Sequence, residues 1–299
     1  SRASGTAFRK TSPILRRYDN YWNSEKAPEP EKITVRYYTS TATMMLDYES
    51  GAIDVALDID GTDAERVING EVAATTYDLY PRSDVYTLAL PEYVEGFDDI
   101  RVRQAISYAI DTDAVAEAGL GVLGQPATSI LPSDCNYYMD MTGKGATGYD
   151  PDLAMQLLDE AGFKQDHPFV FVVPNYDYNV KMSEAIEAYL EQVGIQIELV
   201  QADLVTCITQ YFMTGKAEMV INSCGCANHD AYQQLNTSYE NSTNGTVKIT
   251  DEEYNSYVKV SSTSTDEAEV QEAYEAMQIW MAENARQINL AEPMVMNVY

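Results

Sequence analysis

Four cysteines (Cys135, Cys207, Cys224, Cys226) and two histidines (His167, His229) are the side chains of this 299-residue sequence best suited to covalent or metal chemistry. An even thiol count allows two disulfides in an oxidising compartment, with three pairings open. A bridge inside Cys224-Gly225-Cys226 would be strained, so a bridge from Cys135 or Cys207 to Cys224 or Cys226 is expected. Zinc would need a tetrahedral set of thiolates and imidazoles, but there is no Cys-x2-Cys spacing and there are only two histidines. A thiol nucleophile needs an orienting base, and only His229 stands near Cys224 and Cys226 in the chain. A cysteine-dependent hydrolase is therefore one function to test. Asp58, Asp60 and Asp63 offer oxygen ligands around Gly61, yet without the alternation and closing Glu of a calcium loop. Asp63 is instead expected to cap a helix from Ala64 to Ile68. No catalytic residue, metal or cofactor is predicted.

Charge narrows the partners. Lys+Arg 19 against Asp+Glu 47 leaves a formal charge of −28, which opposes binding to nucleic acid or to an anionic membrane surface. A hydrophobic fraction of 45% suits a folded domain. No apolar run approaches the ~20 residues of a membrane span. The early basic residues Arg2, Arg9 and Lys10 are not followed by an apolar stretch, so no signal peptide is visible, and the sequence reads as part of a longer, processed chain. Tyrosines (23) far outnumber Trp (2) and Phe (6), a composition that suits rings packed on one side and hydrogen-bonded on the other.

The elements that must position these side chains follow from periodicity. Val102, Ala105, Ile106, Ala109 and Ile110 form one apolar stripe behind a cap at Asp98 or Asp99. Asp150-Pro151 starts a helix that Gly162 ends, and Met182 to Val193 stripe another, closed by Gly194. Thr41 or Thr43 caps a short helix ending at Gly51, Asp203 one ending near Gly215, and Asp251 a later one. Strands are expected over 33–38, 53–57, 73–80, 85–90, 169–173, 195–200 and 217–221, with extended chain over 288–291 and 294–298. Strand–helix alternation after residue 169 predicts a largely parallel sheet, whose ligands sit at the carboxyl ends of the strands. Two stretches fall there: Pro174-Asn-Tyr-Asp-Tyr-Asn179 and Asn222 to Asp230. Asn236 to Thr246 reads as a surface excursion.

Asp99-x-Arg-Val-Arg-x-Ala105…Ala109-Ile-Asp111 resembles a signature of the family 5 solute-binding proteins, which serve oligopeptide, dipeptide and nickel ABC importers. Further phrases match in order: Gly5-Thr-Ala-Phe8, Tyr18 to Trp22, Gly124-Gln-Pro-Ala127…Leu131-Pro132, and Tyr149-Asp-Pro151…Ala161-Gly-Phe163. The resemblance implies an α/β, bilobal periplasmic-binding-protein-like fold (type II, Venus flytrap) with the first lobe incomplete in this chain. Residues 1–92 would be the partial first lobe, 93–290 the second lobe and 291–299 a return crossing strand. It implies an extracytoplasmic solute-binding component, on a cell-surface lipoprotein or in the periplasm, that closes on a peptide or similar small polar solute without chemistry. ABC permease subunits would be its partners; nucleic acid would not, and a lipid anchor outside this chain would be its membrane tie. A monomer is expected. In the loop 223–232, Cys224 takes the family's Trp position, Asn228 would face the ligand, and Asp230 would pair with a ligand amine. The loop 174–180 would offer Asn175, Tyr176, Tyr178 and Asn179, where relatives place a basic residue for the ligand carboxylate. Here Lys181 is the nearest cation, so a longer peptide held by its backbone, or a neutral polar solute, fits as well as a dipeptide. A surface sensor or adhesin on the same fold is the other alternative.

Overall fold

Alternating apolar residues at 86, 88, 90, 171, 173, 219 and 221 place one face of a sheet against the helices between residues 100 and 193, all in a single buried cluster. The computed structural model describes residues 12–91, 93–237 and 249–299. The Gly5 to Phe8 turn and the excursion beyond Thr237 lie outside them. The chain divides into two compact units, Ser1–Ala56 and Leu57–Tyr299.

In the first unit, β1 (Ile14–Arg16) pairs antiparallel with β2 (Lys32–Thr34). Helix α1 (Thr41–Glu49) is capped by Ser40, whose hydroxyl accepts the Thr43 amide; Thr41 and Thr43 instead lie inside the helix. The strand expected over 53–57 is absent apart from a bridge residue at Ala56. The reason is local. The Ala52 and Ile53 amides both turn back to the Asp47 carbonyl at the end of α1.

The second unit is built on a seven-stranded sheet with β3 (Tyr77–Pro81), β9 (Gln287–Val298), β4 (Asp84–Ala89), β8 (Met219–Gly225), β6 (Phe169–Pro174) and β7 (Ile197–Ala202) in that order. β5 (Gly124–Pro126) adds to β9. Only β6 is parallel to its neighbours, β7 and β8. The other pairings are antiparallel, so the sheet is mixed rather than largely parallel. β4 and β9 insert between β3 and β8, and pairings between strands so distant in sequence leave no local signature.

Helix α2 (Gly61–Ile68) is capped by Asp60, whose carboxylate accepts the Asp63 amide. Asp63 lies in the first turn and pairs with Arg66 at 2.9 Å. α3 (Ile100–Ala109) is capped by Asp99. α4 (Thr112–Leu120), α5 (Pro151–Ala161) and α6 (Asp177–Gln192) complete the layer on that face. α5 ends at Gly162, which takes the left-handed φ of 63° its cap requires. Asp203 caps a helical turn that continues as a π-helix over Cys207–Phe212, a tighter-to-wider departure from the regular helix expected there. It packs Cys207 against Val172 and Ala217. The helix Glu267–Asn284 brings Tyr274, Met277, Trp280 and Met281 onto Ala89 and Val220.

Arg101 grips Asp99 through Nε (3.1 Å) and Nη2 (2.6 Å), and its Nη1 donates to the Glu160 carbonyl at 2.7 Å. Arg103 is buried and donates to the carbonyls of Asn284 and Phe97. Both hold backbone segments together.

Candidate ligand site

β6 and β8 run parallel with Phe171 opposite Met219 and Val172 opposite Val220, so their carboxyl ends open on one edge of the sheet. Both predicted stretches are there, in forms that differ from loops. α6 begins at Asp177, which puts Tyr178 and Asn179 in its first turn. β8 runs on to Gly225 through its pairing with β4, which makes Asn222 to Gly225 strand and shortens the loop to start at Cys226.

At the end of β6 the exposed Asn175 donates its amide to the Ala202 carbonyl at 2.9 Å. Tyr176 precedes the helix and stands 44% exposed. Its ring stacks on Tyr178, with centroids 5.7 Å apart and planes 1° from parallel. Tyr178 in turn packs against Tyr86 of β4 at 5.3 Å. Burial, and then the neighbouring Tyr178, push the Tyr86 hydroxyl well above the usual phenol range, so it stays a neutral hydrogen-bonding group. Asn179 is buried in the helix layer, with its Oδ1 lacking a hydrogen-bond partner.

At the end of β8, Asn228 and His229 both take positive φ (58° and 57°), conformations that asparagine tolerates better than most residues. Asn228 is exposed and lines a recess of about 470 Å³ together with Cys226, His229 and, from the β3–β4 link, Arg82, Ser83 and Asp84. Asp230 is exposed, and its carboxylate accepts the Tyr232 amide at 3.0 Å. The Cys224 side chain lies outside the described residues; its backbone pairs with Val85. A separate cavity of about 260 Å³, lined by Thr128, Thr147 and Asn289 among others, contains none of the predicted residues.

Sequence reasoning missed the link between β3 and β4. Arg82 approaches Asp84 at 3.9 Å, and Asp84 also accepts the Ser223 hydroxyl at 2.6 Å. Ser83 donates to Asp134 Oδ2 at 2.5 Å, and His229 Nδ1 lies 3.1 Å from the same oxygen. Ser, His and Asp thus meet, but not as a catalytic triad. A triad needs serine on one ring nitrogen and the carboxylate on the other. Here the serine (3.5 Å) and the carboxylate both face Nδ1, and the serine proton goes to the carboxylate. Among the described residues no group of three His, Cys, Asp or Glu is placed to hold a metal ion.

Residues 7–246 match the family described as bacterial extracellular solute-binding proteins, family 5 Middle. The chain belongs to that family. A Brucella ovis relative, provisionally named an ABC transporter peptide-binding protein, is 29% identical over 182 residues, 57% of this chain and 32% of the relative. The dipeptide-binding protein of Escherichia coli K12 is 33% identical over 108 residues, 34% of this chain and 20% of its own length. The chain therefore spans about a third or less of the length of these curated relatives. The crystal structure of the ABC transporter substrate-binding protein CtaP of Listeria monocytogenes superposes with a TM-score of 0.83 at 20% identity, over 95% of this chain and 58% of that one. That likeness shows the fold: α/β, of the periplasmic-binding-protein type found in family 5, with this chain corresponding to part of it. No helix among the described residues is long and apolar enough to cross a membrane.

Proposed function

We propose that this chain is part of the extracytoplasmic solute-binding component of an ABC importer, and that it takes a peptide or similar small polar solute without covalent chemistry. The observation that carries this reading is the shared edge of β6 and β8, where an aromatic rank (Tyr176, Tyr178, Tyr86) and a polar recess at Asn228 lie at the ends of adjacent parallel strands. The aromatic faces suit apolar or backbone surface of a ligand, and the recess suits its charged ends. Arg82 supplies a cation that the 174–180 segment lacks, and Asp230 and Asp84 supply carboxylates for an amine. Asn175, Tyr176, Tyr178, Asn179, Cys224, Asn228 and Asp230 are the proposed ligand-side set.

The lobe assignment 1–92, 93–290 and 291–299, the permease partner, the lipid anchor and the monomeric state belong to the same reading. Closure would follow from a ligand binding the closed form better than the open one. The hydrolase reading is not supported: Cys226 is buried in one cluster with Cys135, while His229 is engaged by Asp134. Native mass spectrometry of the full-length protein tests the proposal, with calorimetry against a peptide library. A co-purified peptide mass, or saturable peptide binding, is expected. A bare polypeptide mass with no heat from any peptide would sink it.

A further inference from the structure

We propose that Cys135 and Cys226 are a disulfide pair, and that closing their bond clamps the loop carrying Asn228 and His229 against the 132–138 segment. Both side chains are buried in one cluster, at 7% and 2% exposure, and Cys226 is the largest single influence on the Cys135 thiol, lowering it. Both are thiols in the structure. The backbones around them are already registered: the Asn136 amide donates to the His229 carbonyl at 2.9 Å, and the Cys226 amide to the Ser83 carbonyl at 3.0 Å. Two cysteines whose approach is fixed by their neighbours can bridge with little backbone movement. Cys207 is the internal contrast. It is fully buried in a different cluster with Val172 and Ala217, and its thiol donates to the Ala202 carbonyl at 3.5 Å.

The chemistry needs an oxidant, and the extracytoplasmic location proposed above supplies the class: a thiol–disulfide oxidant. One cysteine, as its thiolate, attacks the oxidant's disulfide and forms a mixed disulfide. The second thiolate displaces it. One S–S bond forms in the protein, and the oxidant leaves as a dithiol carrying the two electrons and two protons. The bond would form during folding, before both sulfurs are buried.

The full-length exported protein, denatured without reductant, alkylated, digested and mapped by mass, is expected to yield a linked Cys135–Cys226 peptide with Cys207 alkylated. Linkage of either residue to Cys207 or Cys224 overturns the pairing. A second sample, denatured and reduced, is refolded in a glutathione redox buffer. Alkylation of both cysteines in both samples overturns the pairing. Closure in the buffer alone upholds it and counts against the extracytoplasmic reading instead. A bridge across so long a segment predicts that reductant lowers the wild-type Tm by roughly 5–15 °C. Cys135→Ser should show no such response, and a persisting one overturns the pairing.

Discussion

Tyr176 and Tyr178 stack with planes 1° from parallel although only Asp177 separates them in sequence. Residues two apart on a helix point to different sides, so this alignment requires that Tyr176 stay outside the helix. It does: its backbone is extended (φ −89°, ψ 135°) and α6 starts one residue later. The ring pair therefore exists because the strand β6 hands over to a helix between the two tyrosines.

Tyr176→Ala tests whether that pair is a ligand platform. The ring is 44% exposed, so truncation should leave Tm within a degree or two while weakening ligand binding about tenfold, the ~1.4 kcal/mol scale of an aromatic contact. Calorimetry with the co-purified ligand reads the affinity. Unchanged affinity would remove Tyr176 from the site.

Gly119 sets how closely α4 approaches α6. A Cβ there would clash with Met182 Cγ and sit 3.1 Å from the Tyr178 carbonyl. Alanine gains about 1 kcal/mol of helix propensity over glycine, but overpacking costs typically 1–3 kcal/mol. Overpacking wins because Met182 is fully buried and has little room to give. Gly119→Ala is expected to destabilise by about 1–2 kcal/mol in urea titration. A stabilised variant would mean that the helices can separate freely.

Helix starts were legible because their determinants are local. Asp99, Asp150-Pro151 and Asp251 each cap the helix that follows. At α1 and α2 the cap proved to be an earlier residue than expected, Ser40 in place of Thr41 or Thr43 and Asp60 in place of Asp63. The sheet was less legible. Ser223 reaches Asp84 across 139 residues, and that pairing both extends β8 to Gly225 and builds the Arg82–Asp84 wall of the recess. Nothing within either segment announces the other. Tyr86 was missed for the same reason: its role depends on Tyr178 arriving from α6.

The His167–Glu218 pair gives a pH prediction. Nε2 lies 2.9 Å from Glu218 Oε1, while Oε2 accepts the Val170 amide at 2.8 Å, so the pair ties the entrances of β6 and β8. The Glu218 hydrogen bond, followed by its charge, raises the imidazole above its usual 6.5. A raised folded value means stability that is fully present below the unfolded value and lost as pH rises through the folded one. The side chain is 56% exposed, so the effect should be small and should fade in high salt. Across about pH 5.5–8.5, the Tm difference between wild type and His167→Gln is expected to shrink as pH rises. A difference that is constant or grows would contradict the assignment.

Arg103 is the most buried charge of α3, at 2% exposure, and its guanidinium donates to backbone carbonyls: Nε to Asn284 (2.8 Å), Nη1 to Phe97 (2.6 Å) and Nη1 to Asp98 (3.3 Å). These bonds fasten the entry of α3 to the end of the helix Glu267–Asn284. Lysine keeps the charge but offers one nitrogen where the fork uses two, and it leaves a buried carbonyl without a partner. Arg103→Lys should therefore cost about 2–4 kcal/mol, as a truncation would, rather than behave as a conservative exchange. Urea denaturation reads the loss. Ligand affinity of the folded variant should hold within about twofold, because the backbone these bonds hold, at Phe97, Asp98 and Asn284, is not in the proposed ligand-side set. A lysine variant as stable as wild type would show that charge, not the guanidinium fork, holds this corner together.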